Sequence, residues 1–587
     1  MSGQTHLAAP GGSGRWCTIA PSRTVLGIIH NVTSATRLLD LLTVFDGDTR
    51  IQTVFTCTGS SPFAAGIEEF ITTRELPFIS WDEARRLEFD LAVSTSRGGE
   101  LQDISAPLIG TPHGAGYNKK LSREPGAGSR EPGAGSREPG AGSREPGAGS
   151  REPGAFGLTA EWLLHEGELI PSALVLSHDE QRERLRQGCP EALPIAQVIG
   201  DPCMDQLCVS TAFREEYRVA FGIRPGQKLL LLTSTWGRNS LMGGAPDVVR
   251  RALAELPRDE YRIVAAIHPN AYHGHGGWQI KSWLAPFIRS GLMVPAPETH
   301  TWKAALCAAD LFLGDHGSVS IYASAQGIPG LLASFDEESV AAGSPMDLLG
   351  QLLPRVSAFL PLSEQLGRAA REQQGDTRLA KVRGMVTSRP MEALARLRRL
   401  CYSFLGLEEP PYPAVAQPVG IPRAVSAAQS VPGEPALSVH AQVLEGRTAE
   451  VQPAVSVRRY PAGLQGSLNA HLPDVHVVAE EQEPDVRWAH IADILVARMS
   501  TPQQLLARHP GCTVVAQADP PSVCRLHHRS GGTYTARWTS SVWWSSPALA
   551  ATALYACLSH FGPGWEGEVQ VEAGEDLPTA LLSLRRC

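Results

Sequence analysis

Short apolar runs and longer amphipathic segments alternate from Thr24 onward. Residues 24–31 (TVLGIIHN) are apolar and partly β-branched, and residues 34–45 set Leu38, Leu39, Leu41 and Leu42 on one helical face. Residues 51–56, 78–79, 89–95 (FDLAVST) and 106–111 (APLIGT) continue the series, with helical stretches between them. Buried strands this short, separated by helices, predict a doubly wound parallel sheet, and ligands of such sheets sit beyond the carboxyl ends of the strands.

A second series begins at Lys228. Strands are predicted at 228–235 (KLLLLTST), 261–268 (YRIVAAIH), 292–294, 310–313 and 329–333, with helices at 246–256, 282–290, 301–309 and 318–326. The expected fold class is α/β: two Rossmann-like lobes, residues 24–200 and 201–409, facing each other across a cleft, which is the glycosyltransferase-B architecture. A helical stretch at 387–404 is expected to return against the first lobe. Residues 410–435, rich in Pro, Ala, Val and Ser, read as a linker. Residues 436–587 read as a separate small α/β domain of unassigned role, from strand-like runs at 475–479, 493–498, 512–516 and 568–572 and a helix at 547–561. Its Trp538, Trp543 and Trp544 suit a core better than a ligand platform, and the adjacent His527 and His528 have no metal-ligand spacing.

One segment breaks the pattern. Residues 122–149 are four perfect copies of SREPGAG, and a fifth, SREPGAF, runs to Phe156. Pro and two Gly per copy exclude a coiled coil despite the period of seven, and Gly does not fall at every third place as collagen requires. The insert 122–156 is expected to be a disordered, solvated surface loop, either an inert expansion or a lid or partner-binding element.

Composition narrows the function classes. The formal charge is −8, from 52 basic and 60 acidic residues, which argues against a nucleic-acid binder and leaves no polybasic tail for anionic lipids. Residues 1–23 carry no apolar segment and read as a disordered N-terminus rather than a secretory signal, and no apolar run reaches membrane-spanning length. The 11 cysteines are scattered and odd in number, which suits free thiols in a reducing cytoplasm. Only six of the basic residues are lysines, a bias expected of a high-GC bacterium.

Four places combine a strand end with chemistry-bearing residues. In 110–120 (GTPHGAGYNKK), His113 is placed as a general base beside Gly114, and Lys119 and Lys120 suit a phosphate or acceptor group; a plain Gly-Pro turn with solvated lysines is the alternative. In 267–270 (IHPN), the proline holds His268 in extended backbone as a donor to a phosphate oxygen. The nearby His273 and His275 lack further metal ligands, and no metal or other cofactor is expected. In 313–322 (LGDHGSVSIY), Asp315, His316, Gly317 and Ser318 precede or open a helix whose free N–H groups suit a pyrophosphate, though Asp315 also fits a simple cap. In 233–238 (TSTWGR), Thr235 and Arg238 are candidates to touch a donor, and Trp236 either stacks on a base or fills core.

Taken in order, these motifs resemble the CDP-glycerol glycerophosphotransferase family, enzymes of teichoic acid synthesis. The resemblance covers roughly residues 100–335: a His-Gly motif with a nearby Lys (His113, Gly114, Lys119), a G-x-P-x-x-D element (Gly200, Asp201, Pro202, Asp205), Thr235-Trp236 with Arg238, His268-Pro269, and the turn 314–318. This chain reads Gly-Thr-Pro-His-Gly where the family has Trp-His-Gly-Thr-Pro, and Gly314 stands where the family turn begins with Ser. The resemblance implies a cytoplasmic transferase that uses a nucleotide-diphosphate-linked donor, CDP-glycerol or a nucleotide sugar, to modify an acceptor hydroxyl. His113 would take the hydroxyl proton, while His268, Ser318 and the helix N-terminus would hold the pyrophosphate. The acceptor and the oligomeric state stay open, as does peripheral contact with a membrane. A non-catalytic regulatory or interaction protein that retains the fold is the second reading, and a nucleotide-sugar epimerase the third.

Overall fold

The computed structural model describes residues 18–61, 63–120, 155–297, 299–423, 435–444, 452–464, 475–519, 523–540 and 542–587. The first 17 residues, the repeat copies up to residue 154 and residues 424–434 of the expected linker lie outside the described residues.

The first lobe is a six-stranded parallel sheet. Its strands are β1 (Arg23–Ile29), β2 (Ile51–Cys57), β3 (Leu91–Ser94), β4 (Leu108–Gly110), β5 (Ala173–Leu176) and β6 (Ala196–Val198), in the order β2-β1-β3-β4-β5-β6. β3 and β5 are buried at every position, as a sheet covered by helices on both faces requires. The expected strand at 78–79 is a single bridge from Phe78 to Phe55. Pro77 has no N–H to extend a ladder, and Ser80 already caps the next helical turn. The second lobe repeats the plan with β7 (Lys228–Ser234), β8 (Tyr261–Ile267), β9 (Leu292–Met293), β10 (Leu311–Gly314) and β11 (Gly330–Leu332), in the order β9-β8-β7-β10-β11. Both sheets are Rossmann-like in the sense that the order reverses about the first strand.

Six helices place the parts that matter. Helix α1 (Val32–Leu42) starts two residues before the predicted 34, because Asn31 and Ser34 form a reciprocal capping box: Asn31 Oδ1 accepts from Ser34 N at 2.8 Å, and Ser34 Oγ accepts from Asn31 N at 2.9 Å. Between the lobes, Gly200 takes a φ of +103°, and Asp201 caps α2 (Pro202–Ser210) by accepting from Cys203 N and Met204 N. In the second lobe α3 (Pro269–His275) follows β8, and α4 (Ser318–Ala325) follows β10. Helix α5 (Ala393–Leu405) returns to the first lobe, where Leu397, Cys401, Tyr402 and Leu405 share a core with Val25, Leu38 and Phe45. Asp205 fixes its start by accepting from Met391 N (2.7 Å) and Ala393 N (3.0 Å). The chain then runs back along both lobes: Tyr412 Oη donates to Asp46 O in the first, and Val419 packs in the core of the second.

Residues 436–587 correct the expectation of a small α/β domain. They form a closed barrel of nine strands, sealed by the pairing of Leu437–Leu444 with both Ala454–Pro461 and Val475–Glu480. Helix α6 (Pro547–Phe561) shares its core, through Leu549, Ala553, Leu554 and Cys557. Five of the nine strands escape the sequence reading for a physical reason: a barrel strand alternates inside and outside, so Ala454–Pro461 (AVSVRRYP) and Thr533–Trp538 (TYTARW) interrupt their apolar side with polar residues. Trp538 and Trp544 meet edge to face in the barrel core, with centroids 5.9 Å apart. The barrel docks where the second lobe's strands begin, on the opposite side from their carboxyl ends. Arg459 forks onto Asp259 at 2.7 and 2.6 Å, Arg458 meets Glu260 at 3.0 Å, and Lys228 meets Asp576 at 2.7 Å.

Candidate functional site

The carboxyl ends of β1, β3, β4, β7, β8 and β10 converge on one cavity of about 520 Å³ between the lobes. His113, Gly114, Lys119, Thr235, His268, Asp315, His316, Gly317 and Ser318 all line it. Lys120 and Arg238 do not: Lys120 forms a backbone bridge to Ala155, and Arg238 is exposed. Phe156 N donates to Lys119 O at 2.7 Å, so these two residues on either side of 121–154 meet at the cavity wall.

His113 is exposed to the cleft yet deep between the lobes. Its Nδ1 lies 3.2 Å from Thr95 O. A carbonyl oxygen only accepts, so Nδ1 carries the proton and Nε2 keeps its lone pair. The surrounding protein lowers this ring's pKa to about 4, helped by the positive charges of Lys119, Arg37 and Arg97. His268 has the opposite arrangement. As the cap of α3 its Nδ1 accepts from Asn270 N at 3.1 Å, which leaves Nε2 as the protonated nitrogen. Burial, then Lys119 and His113, hold His268 well below its ordinary range. One imidazole is therefore fixed as an acceptor and the other as a donor, both neutral at pH 7.

Asp315 is fully buried and tied to backbone. Its Oδ2 accepts from Thr235 N and Leu241 N at 2.8 Å each, and its Oδ1 from Gly317 N at 2.9 Å. Burial raises its pKa to about 6 in spite of these bonds. The carboxylate locks the loop after β7 to the turn after β10. Gly317, the cap position of α4, supplies no side-chain acceptor, so the first N–H groups of that helix stay available where Ser318 and Val319 line the cavity. His316 is buried with its Nδ1 unpartnered, and burial and Lys119 lower its pKa to about 4.

Lys119 reaches across from the first lobe. Its Nζ is 3.5 Å from Thr235 Oγ1 and 4.5 Å from the centre of the Trp236 ring, which itself leans on Phe63 at 5.0 Å. Trp236 thus sits on the cavity wall rather than in a core. Burial lowers the Lys119 pKa to about 8, against the pull of Asp315 and Asp336. Four cationic side chains line the cavity (Arg37, Arg97, Lys119 and Lys303) against two acidic ones (Asp40 and Asp315). In a chain of net charge −8, this is a local surplus of positive charge.

Several lining residues were invisible in the sequence reading. His30 ends β1, and its Nε2 donates to Gly98 O at 2.7 Å. The signal existed: Ile29-His30 and Ile267-His268 are the same dipeptide at the carboxyl end of the first strand of one lobe and the second strand of the other. Arg37 and Asp40 lie on α1, and Lys303, buried in the second lobe, meets Asp40 at 2.6 Å. Arg37 Nη2 donates to Tyr322 Oη at 2.9 Å, and Tyr322 donates to Asp201 Oδ2 at 2.9 Å. Asp201 and Asp205 of the G-x-P-x-x-D element thus hold helix ends and the joint between the lobes.

Among the described residues no group of three or more His, Cys, Asp or Glu is arranged to hold a metal ion; His275 rests edge-on against Trp283. Among them, too, no helix is long and apolar enough to cross a membrane.

No family model and no curated protein matches this chain. Among solved structures it is similar to the wall teichoic acid polymerase TagF, at 13% identity and a TM-score of 0.42 over 66% of this chain and 90% of that one. It is also similar to S. aureus MnaA solved with UDP (12%, TM-score 0.36, 66% and 99%) and to Anabaena HepE solved with UDP and glucose (9%, TM-score 0.33, 65% and 99%).

Proposed function

We propose that this protein is a transferase that binds a nucleotide-diphosphate-linked donor in the interlobe cavity and passes its activated group to an acceptor hydroxyl. The observation that carries this is the opposed setting of two neutral imidazoles in one cationic cavity: His113 with a free lone pair, His268 with a free N–H. His113 is the general base for the acceptor hydroxyl. His268, Ser318, the N–H groups that open α4 and the Lys119 ammonium receive the diphosphate and stabilise the charge that grows on the leaving nucleotide. A bound diphosphate also offsets the cations that depress His113, raising its pKa toward the range where a base works best. Trp236, with Lys119 on its face, offers a surface for a base or a sugar. The group transferred is glycerol phosphate if the donor is CDP-glycerol, or a sugar if it is a nucleotide sugar.

Calorimetric titration of the full chain with CDP-, UDP- and GDP-linked donors tests the reading. Saturable binding to one nucleotide class is expected, and it should weaken in Lys119→Gln. Binding by none of the three would leave the transferase reading without its first substrate.

A further inference from the structure

Two polar atoms on the side of α1 that lines the cavity have no hydrogen-bond partner within the protein. Thr33 Oγ1 and Arg37 Nη1 are both closed off from solvent and both without a hydrogen bond. Thr33 and Arg37 stand four residues apart on one helix, hence on one face of it, and both line the cavity. The other terminal nitrogen is engaged: Nη2 donates to Tyr322 Oη, and Tyr322 donates in turn to Asp201. The nearest carboxylate to Nη1 is Asp40 at 3.9 Å, and that carboxylate is already engaged by Lys303 at 2.6 Å and faced by His300 at 3.6 Å.

A guanidinium that is 7% exposed, with its ion-pair partner Asp40 3.9 Å away and shared with Lys303, leaves Nη1 without a hydrogen bond, and that unmet donor is costly to bury. An unmatched hydroxyl one turn away adds to that cost. Thr33 also lies in the first turn of an 11-residue helix, at its positive end. Each of these costs is relieved by the same ligand chemistry, an oxyanion in the cavity that accepts from both side chains. We propose that Thr33 and Arg37 form an oxyanion-binding subsite on the first lobe's wall, with Tyr322 and Asp201 as positioning residues that aim the guanidinium. Phosphate and carboxylate both fit this chemistry, and the group is supplied either by a nucleotide donor or by a second substrate. The subsite goes beyond the transferase reading and stands without it.

The test is calorimetric titration of the full chain with inorganic phosphate and inorganic pyrophosphate. The native protein is expected to bind at least one of them. Loss of a charge-assisted bond predicts that Arg37→Gln weakens this binding about tenfold or more, while Arg37→Lys and Thr33→Val weaken it by about threefold. Thr33→Val keeps the side-chain shape and removes a hydroxyl with no partner in the fold, so its melting temperature should stay at the native value. If Arg37→Gln fails to fold, Thr33→Val and Arg37→Lys still decide. Native affinity in Thr33→Val and Arg37→Lys, or absence of binding by the native chain, overturns the subsite. The same titrations with a nucleoside diphosphate already bound locate the source. Equal loss of nucleoside diphosphate affinity in Arg37→Gln assigns the oxyanion to the donor, and loss of phosphate binding alone assigns it to a second substrate.

Discussion

Gly114 and Ser318 face each other across the interlobe cleft so closely that a β-carbon on Gly114 would lie 2.7 Å from Ser318 Oγ. The first residue of α4 and the loop that carries His113 are thereby in register, with room for a ligand beside them but not for a side chain between them. Gly114→Ala is expected to be mild, because the serine hydroxyl can rotate away. Gly114→Val should push the loop from α4 and cut affinity for a nucleotide-diphosphate donor by about tenfold or more, with the melting temperature nearly unchanged. Native affinity in the valine variant would mean that the two lobes do not grip one ligand here.

The opposite settings of the two histidines predict different behaviour on substitution. His268→Asn keeps a good helix cap, since an Asn oxygen accepts the same backbone N–H, but removes the ring N–H offered to the cavity. It should preserve stability and lower turnover by about a hundredfold, as for loss of one oxyanion donor. His113→Gln should leave donor binding near native and abolish transfer. Equal turnover in either variant and the native protein removes the roles proposed here.

Burial sets the acid response. The rings of His30, His113 and His316 are lowered to about 4 from an ordinary 6.5, and His268 is likewise held well below its ordinary range. As pH falls through the window from about 6.5 to about 4, the unfolded chain takes up protons that the folded one refuses, so stability is lost on going down. Asp315, raised to about 6 from 3.8, acts in the opposite sense across an overlapping window, as do the raised carboxyls of Asp46, Asp205 and Glu260, but the lowered rings of His300, His509, His527 and His528 add to the four of the cavity. The melting temperature should therefore fall steadily from pH 7 to pH 4.5, and a flat or rising profile would contradict the burial of these rings.

Above neutrality Lys119 governs. With its pKa lowered to about 8, it loses its charge over a range where an ordinary lysine keeps it. Affinity for inorganic pyrophosphate should fall as pH rises from 7.5 to 9.5, and Lys119→Arg should flatten that dependence. An unchanged slope in the arginine variant would show that another group titrates.

The barrel is fastened by a buried ion pair. Arg459 and Asp259 are nearly inaccessible and make a two-pronged contact, with Arg459 holding the Asp259 carboxyl below its ordinary range despite burial. Removing one partner strands the other, so Asp259→Ala should cost about 3–5 kcal/mol of stability. Because the docking surface lies at the opposite end of the strands from the cavity, donor affinity should stay native in any variant that remains folded. A parallel loss of affinity would show that the barrel communicates with the cleft.

The two Rossmann-like lobes were legible in the chain because a strand covered on both faces must be apolar throughout, and runs such as 229–232 leave little choice. His113, His268 and the turn at 315–318 could be singled out for the same reason: each follows such a run directly, where a parallel sheet exposes its ligand side. That they line one cavity, and that His113 offers a lone pair while His268 offers a proton, was decided by tertiary structure, since it depends on Thr95 O just beyond β3 and on the cap of α3. Tertiary structure also supplied what the sequence concealed. Arg37 reads as one polar residue in an amphipathic helix until Tyr322, 285 residues away, is brought against it. The nine-stranded barrel stayed hidden because strands such as Ala454–Pro461 and Thr533–Trp538 mix polar residues into their apolar pattern, and closure is a property of strand pairing that no local pattern encodes.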